Sequence, residues 1–139
     1  MKEYSMGMRN RLSDFLRFLS DQLYVDDGFG DAINADNAGN NDRTLTLNSG
    51  TGSAVFVGGN IGASQALAGL TVTQSNGAQF SGTVDVSDTS SGTITLTDTT
   101  DGTNILFSSA VTADNFVTAA QGYNIFFNGG ATFANAVTF

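Results

Sequence analysis

The chain has 139 residues, a formal net charge of −8, and no Cys, His or Pro. Missing Cys excludes disulfides and thiolate chemistry, and missing His removes the commonest transition-metal ligand and the usual general base. The acidic balance does not suit nucleic acid, because phosphate binding needs a basic patch, and no run of about 18 apolar residues is present to span a membrane.

The first segment, residues 1–25, predicts an amphipathic α-helix over about Gly7 to Tyr24. Met8, Leu12, Phe15, Leu16, Leu19 and Leu23 fall at helical spacing on one face. Arg9, Asp14, Arg17 and Asp21 fall on the other, and Gly28 and Gly30 stop the helix. The segment does not read as a secretory signal peptide, because Arg17, Ser20 and Asp21 break its apolar run. Its expected role is a cap or docking element, since a repeat protein must cover the open end of its stack. A membrane-surface helix and packing against a second copy are the other readings.

Residues 26–43 follow as an Asp/Asn/Gly-rich linker, DDGFGDAINADNAGNND up to Asp42. Its oxygens could serve Ca²⁺, but the spacing of a calcium loop is missing. No other cofactor is expected. The neutral reading is a solvated, turn-rich connector.

From Thr44 to Phe139 the chain repeats itself. One phrase reads TLTL at Thr44, TVT at Thr71, TITLT at Thr93 and, less closely, YNI at Tyr123. A second reads VGGNI at Val57, FSGTV at Phe80, FSSAV at Phe107 and FANAV at Phe133. Leads of the first phrase (Leu45, Leu70, Ile94, Tyr123) are 25, 24 and 29 residues apart by number. Leads of the second are 23, 27 and 26 apart, with Ile61, Val84, Val111 and Val137 as their partners. A period in the twenties with recurring β-branched and aromatic positions is the mark of a solenoid. The expectation is a right-handed parallel β-solenoid of about four rungs, residues 44–139, preceded by the helix. A two-sheet antiparallel sandwich is the rival architecture.

Strand alternation then assigns sides. Leu45, Leu47, Leu70, Val72, Ile94 and Leu96 point inward, and Phe80, Phe107 and Phe133 make an interior aromatic ladder. Thr44, Thr46, Thr71, Thr73, Thr93 and Thr95 form an outward Thr face, extended by Thr97. Such a TxT array resembles those of ice-binding solenoids, although Thr is also simply a good exposed-strand residue.

Charge is distributed unevenly. Lys2, Arg9, Arg11, Arg17 and Arg43 all precede Thr44, and the repeat holds only Asp85, Asp88, Asp98, Asp101 and Asp114. Parallel solenoids include polysaccharide-cleaving enzymes, but those need paired carboxylates with nearby basic groups. Isolated Asp in Gly- and Thr-rich turns is a turn former, so no catalytic residue is assigned and no enzyme is expected. A neutral, polar surface suits other copies of the chain, carbohydrate or another surface.

The phrases FSGTVDV, FSSAVTADN and ATFANAVTF resemble the repeats of bacterial surface adhesins of the filamentous-haemagglutinin and autotransporter type. The resemblance covers about Thr44–Phe139 and implies a parallel β-helix with an extracellular, structural or adhesive role. The sequence given stops in mid-phrase at Val137–Phe139, which reads as an uncapped rung. The expected function is therefore a self-associating, extracellular or cell-surface fibre subunit or adhesin-like segment. Its expected assembly interface is Leu12, Phe15, Leu16 and Leu19 at one end and Val137 and Phe139 at the other. The alternative is a surface-binding module, for carbohydrate or ice, that uses the Thr face.

Overall fold

A computed structural model describes residues 30–35, 43–88 and 91–137. The predicted helix, with Leu12, Phe15, Leu16 and Leu19, lies outside the described residues, as does Phe139.

Among the described residues, eleven short strands wind through three parallel sheets. The first turn holds β1 (Thr44–Asn48) and β2 (Val55–Val57), and the second β3 (Gly69–Ser75), β4 (Ala78–Phe80) and β5 (Val84–Val86). The third holds β6 (Thr93–Thr99), β7 (Asn104–Phe107) and β8 (Val111–Ala113), and the fourth β9 (Asn115–Thr118), β10 (Asn124–Phe127) and β11 (Ala131–Phe133). Sheet one runs β1-β3-β6-β9, sheet two β2-β4-β7-β10 and sheet three β5-β8-β11. Every pairing between these strands is parallel. The chain is thus a parallel β-solenoid of about four turns, and the sandwich, which needs antiparallel neighbours, is ruled out. Single parallel bridges Ile33↔Ile61 and Ile61↔Val84 carry sheet three further towards the start of the coil. Part of the stretch 26–43 therefore lies against the first turn.

Identical positions stack because each turn alone cannot bury its inner face. Leu45, Leu70 and Ile94 align across sheet one, as do Leu47, Val72 and Leu96. Ile61, Leu70, Val72, Ile94, Ile105 and Phe107 are all fully buried. Polar positions stack too: buried Ser75 and Thr99 share a hydroxyl–hydroxyl bond of 3.0 Å, and Gln74 donates to Asp98 at 3.0 Å. No buried side-chain polar atom among the described residues lacks a partner, as a dry interior demands.

The small residues inside the second phrase have a steric reason. They turn the corner between sheets two and three, where one layer's backbone rests on the next. A Cβ on Gly59 would collide with the Asp31 carbonyl, one on Gly82 with that of Gly59, and one on Gly129 with Ser109.

The fourth turn departs from the predicted phrasing. The strand that continues sheet one is β9, with Phe116 aligned to Ile94, and not the segment at Tyr123. Ile125 belongs to β10, opposite Ile105 in sheet two. The aromatic ladder accordingly runs Phe80–Phe107–Phe127, with centroids 4.8 and 5.1 Å apart and rings tilted by only 9° and 11°. Phe133 is not its last member. It stands opposite Ala113 in sheet three and meets Phe127 edge-on at 5.7 Å. Ala131, not Val137, follows Ile61, Val84 and Val111. The cause is a shortened corner. The loops from Ile61 to Gly69 and from Val86 to Thr93 are long arcs, whereas Asp114 alone joins β8 to β9. Buried Asp114 holds this elbow by accepting the Gly92 N–H at 2.9 Å, while the Asn115 N–H reaches the Gly92 carbonyl at 2.9 Å.

Candidate assembly edge

Among the described residues, the fourth turn is where the stacked columns become more exposed. In the third turn Ile105 and Phe107 are both 0% exposed. Their continuations Ile125 and Phe127 are half-buried, as is Phe133, and Ala131 is exposed. These side chains still pack on the interior cluster from one side. The sequence alternation is unchanged between the two turns, and the difference is that no described strand lies on the far side of β10 and β11.

The backbone of the same turn has a defined polarity. Asn124 donates its N–H to Thr103 and Asn128 donates to Phe107, both at 2.9 Å. In a parallel ladder alternate residues face opposite neighbours, so Ile125 and Phe127 turn their peptide groups away from β7. By the same alternation the Ala134 N–H, bound to Ala113 at 3.1 Å, leaves Ala131 and Phe133 facing away from β8. Strands β10 and β11 end their sheets, and no described strand pairs with that side. The half-buried side chains and the outward peptide groups belong to the same residues.

Sheet one is partly covered. Asn135 donates its backbone N–H to Asp114 at 3.0 Å and its side-chain amide to Asn115 Oδ1 at 2.9 Å. The chain thus begins a further layer, and Val137 packs half-buried against the cluster. Tyr123 closes the corner beside it, donating its hydroxyl to the Leu96 carbonyl at 3.1 Å. Burial pushes the Tyr123 phenol above its ordinary value of 10.0, and the nearby Asp98 carboxylate adds to that rise.

The Thr positions fall into columns of unequal depth. Thr46, Thr71 and Thr95 align, followed by Val117. Thr44 aligns with Gly69, then Thr93 and Asn115. A register slip after Leu47 places Asn48 opposite Gln74 and leaves Thr73 without a Thr partner in β1. Thr44 and Thr46 are exposed, while Thr71, Thr73, Thr93 and Thr95 are half-buried.

Four of the acids, Asp85, Asp98, Asp101 and Asp114, accept hydrogen bonds within the coil. Asp101 accepts from the Gly122 N–H at 3.0 Å, Asp85 from the Ser87 N–H at 3.2 Å, and Asp98 and Asp114 serve as described. Among the described residues no three His, Cys, Asp or Glu side chains cluster to hold a metal, and no helix is long and apolar enough to cross a membrane.

One feature escaped the sequence reading: the outward column Phe56, Gln79, Leu106, Phe126 on sheet two. Phe56 and Phe126 are exposed. The signal was legible as a bulky apolar residue at the middle, outward position of VFV and NIFF.

No protein-family model, no curated protein and no solved structure matches the chain.

Proposed function

We propose that the chain is a structural element of an extracellular or cell-surface fibre, in which copies stack head to tail through the edge at β10 and β11. The observation that carries this reading is the coincidence, at Ile125, Phe127 and Phe133, of half-buried apolar side chains with outward peptide groups. A layer laid on this edge gains ladder hydrogen bonds and covers the aromatic ladder in one step. A first-turn strand such as β2, with Val55 and Val57 pointing inward, has the alternation that continues the columns above Ile125 and Phe127. The contact is heterologous and does not close, so it grows a filament. Acids that accept hydrogen bonds within the coil, a surface of Thr, Asn and Ser, and the resemblance to adhesin repeats support a structural and adhesive role over a catalytic one.

The test is negative-stain electron microscopy with sedimentation velocity across a concentration series. Unbranched fibres that lengthen with concentration are expected. Ile125→Pro combined with Phe133→Lys removes an outward N–H and charges the slot, and should leave a monomer with a parent-like far-ultraviolet dichroism spectrum. Thr71→Lys with Thr95→Lys should still form fibres. A parent chain that stays monomeric, or fibres that survive the edge changes, overturns the reading.

A further inference from the structure

Sheet two presents its outward face without a single charge. Its strands read VFV, AQF, NILF and NIFF, and the remaining acids of the coil lie in the other sheets and in turns. Along the coil axis the central outward column is Phe56, Gln79, Leu106 and Phe126 in register. The two rings are 48% and 46% exposed, unlike every interior Phe. Beside them Asn124 donates to Asn104 at 3.2 Å. That bond fixes both amides and leaves Asn104 a free donor edge and Asn124 a free acceptor edge.

Size decides between kinds of partner. Three strand spacings of about 4.8 Å and strands about 10–13 Å long give a flat patch on the order of 150–200 Å². A stable protein interface needs about 800 Å² from each partner, so the face is too small for a second copy to hold by itself. The central column within it is a single file of side chains about 14 Å long along the coil axis, a line that a linear ligand can follow. Charge decides the rest. The segment from Thr44 onward carries no Lys or Arg, so an anionic chain finds no counter-charge and meets a field set by a net charge of −8.

We infer that this stripe is a subsite for an uncharged polysaccharide, which lies along the coil axis from Phe56 to Phe126. The aliphatic C–H face of a sugar ring packs on each phenyl ring, whose π face is negative and apolar. The ring hydroxyls between them exchange hydrogen bonds with the amides of Gln79, Asn104 and Asn124. This site is separate from the Thr columns of sheet one and does not depend on head-to-tail stacking.

The probes are soluble neutral oligosaccharides of two to six units, from mixed-linkage β-glucan, mannan and chitin, with oligogalacturonate as the anionic comparison. Each is titrated calorimetrically into the full chain. Binding is expected for at least one neutral series, to strengthen with length up to the span of the stripe, and to be absent for oligogalacturonate. Phe56→Ala with Phe126→Ala should weaken it about tenfold or more, the effect of about 1.4 kcal/mol. Phe56→Tyr with Phe126→Tyr should retain it, and so should Thr71→Lys with Thr95→Lys. All variants should keep the parental dichroism spectrum, because both rings are exposed. The inference is overturned if no neutral series binds, if the double Ala variant binds as well as the parent, or if the anionic series binds equally. It is also overturned if removing the rings changes sedimentation without changing glycan affinity, which would assign the stripe to contact between copies.

Discussion

At the scale of single residues, the demands of close stacking fall on backbone positions as much as on side chains. Gly62 has φ of 74°, and a Cβ there would collide with the Asp85 carbonyl. Gly102 has φ of 78° and open space around it. Both pay the left-handed penalty with a side chain, but only Gly62 adds a clash with fixed backbone. Gly62→Ala should cost about 3 kcal/mol and Gly102→Ala about 1 kcal/mol, read as shifts in urea midpoint. Tyr123 gives a residue-level pH effect. Its folded value lies above the ordinary 10.0, so the folded state holds the proton more tightly than the unfolded chain. Its contribution to stability is complete below the unfolded value near 10 and is lost as pH rises through the folded value. Urea midpoints of the parent should fall across that window more steeply than those of Tyr123→Phe. Phenolate absorbance should show one tyrosine titrating late in the parent and not in the variant.

At the scale of elements, the three turns with regular phrasing were legible in the sequence and the fourth was not. Leu45, Leu70 and Ile94, and Phe80 with Phe107, were placed correctly from alternation and period alone, because inward positions of stacked strands must repeat. The period fails once Asp114 replaces a loop by a one-residue elbow. The following strand, NFVT, keeps the alternation but not the TxT phrase, so phrase matching passed over it and took Tyr123 as its heir. Phe133 falls outside the ladder for the same reason: it has the right residue type, one strand late. Ladder membership has an energetic test. Phe107 is enclosed by Phe80 and Phe127, and Phe107→Ala should cost about 3–5 kcal/mol. Phe127→Ala, at the half-covered end, should cost about half as much in a monomeric background. Chemical denaturation of both variants measures the ratio, and equal costs would mean that a further layer already covers Phe127. The outward stripe on sheet two is equally readable in the sequence, as a bulky residue between two inward ones, but an exposed position need not repeat from turn to turn and so leaves no period.

At the scale of the whole molecule, the backbone hydrogen bonds between turns run along the coil axis, and apolar columns, these ladders and stacked polar side chains such as Gln74–Asp98 and Asn124–Asn104 join one turn to the next. Sheet three begins at Ile33 and continues through β11, giving the coil a direction with different ends. Copies joined at those ends should keep a single polarity. Labels placed at Phe56 and at Thr132 of each copy should therefore alternate regularly along a fibre in electron micrographs. Labels of one kind that meet at joints would indicate end-to-end inversion and contradict head-to-tail growth.

The single-residue elbow at Asp114 also bears on how the coil answers a pull. A tether drawn along the axis loads the ladders of one turn together and those of successive turns in series. The least covered layer should yield first, and among the described turns the fourth, with half-buried Ile125, Phe127 and Phe133, is that layer. Phe116 follows Ile94 by 22 residues, so freeing such a loop pays out on the order of 70 Å of extended chain while the turns behind it stay wound. A coil built this way should lengthen in steps under load, which single-molecule stretching would read as increments of that order.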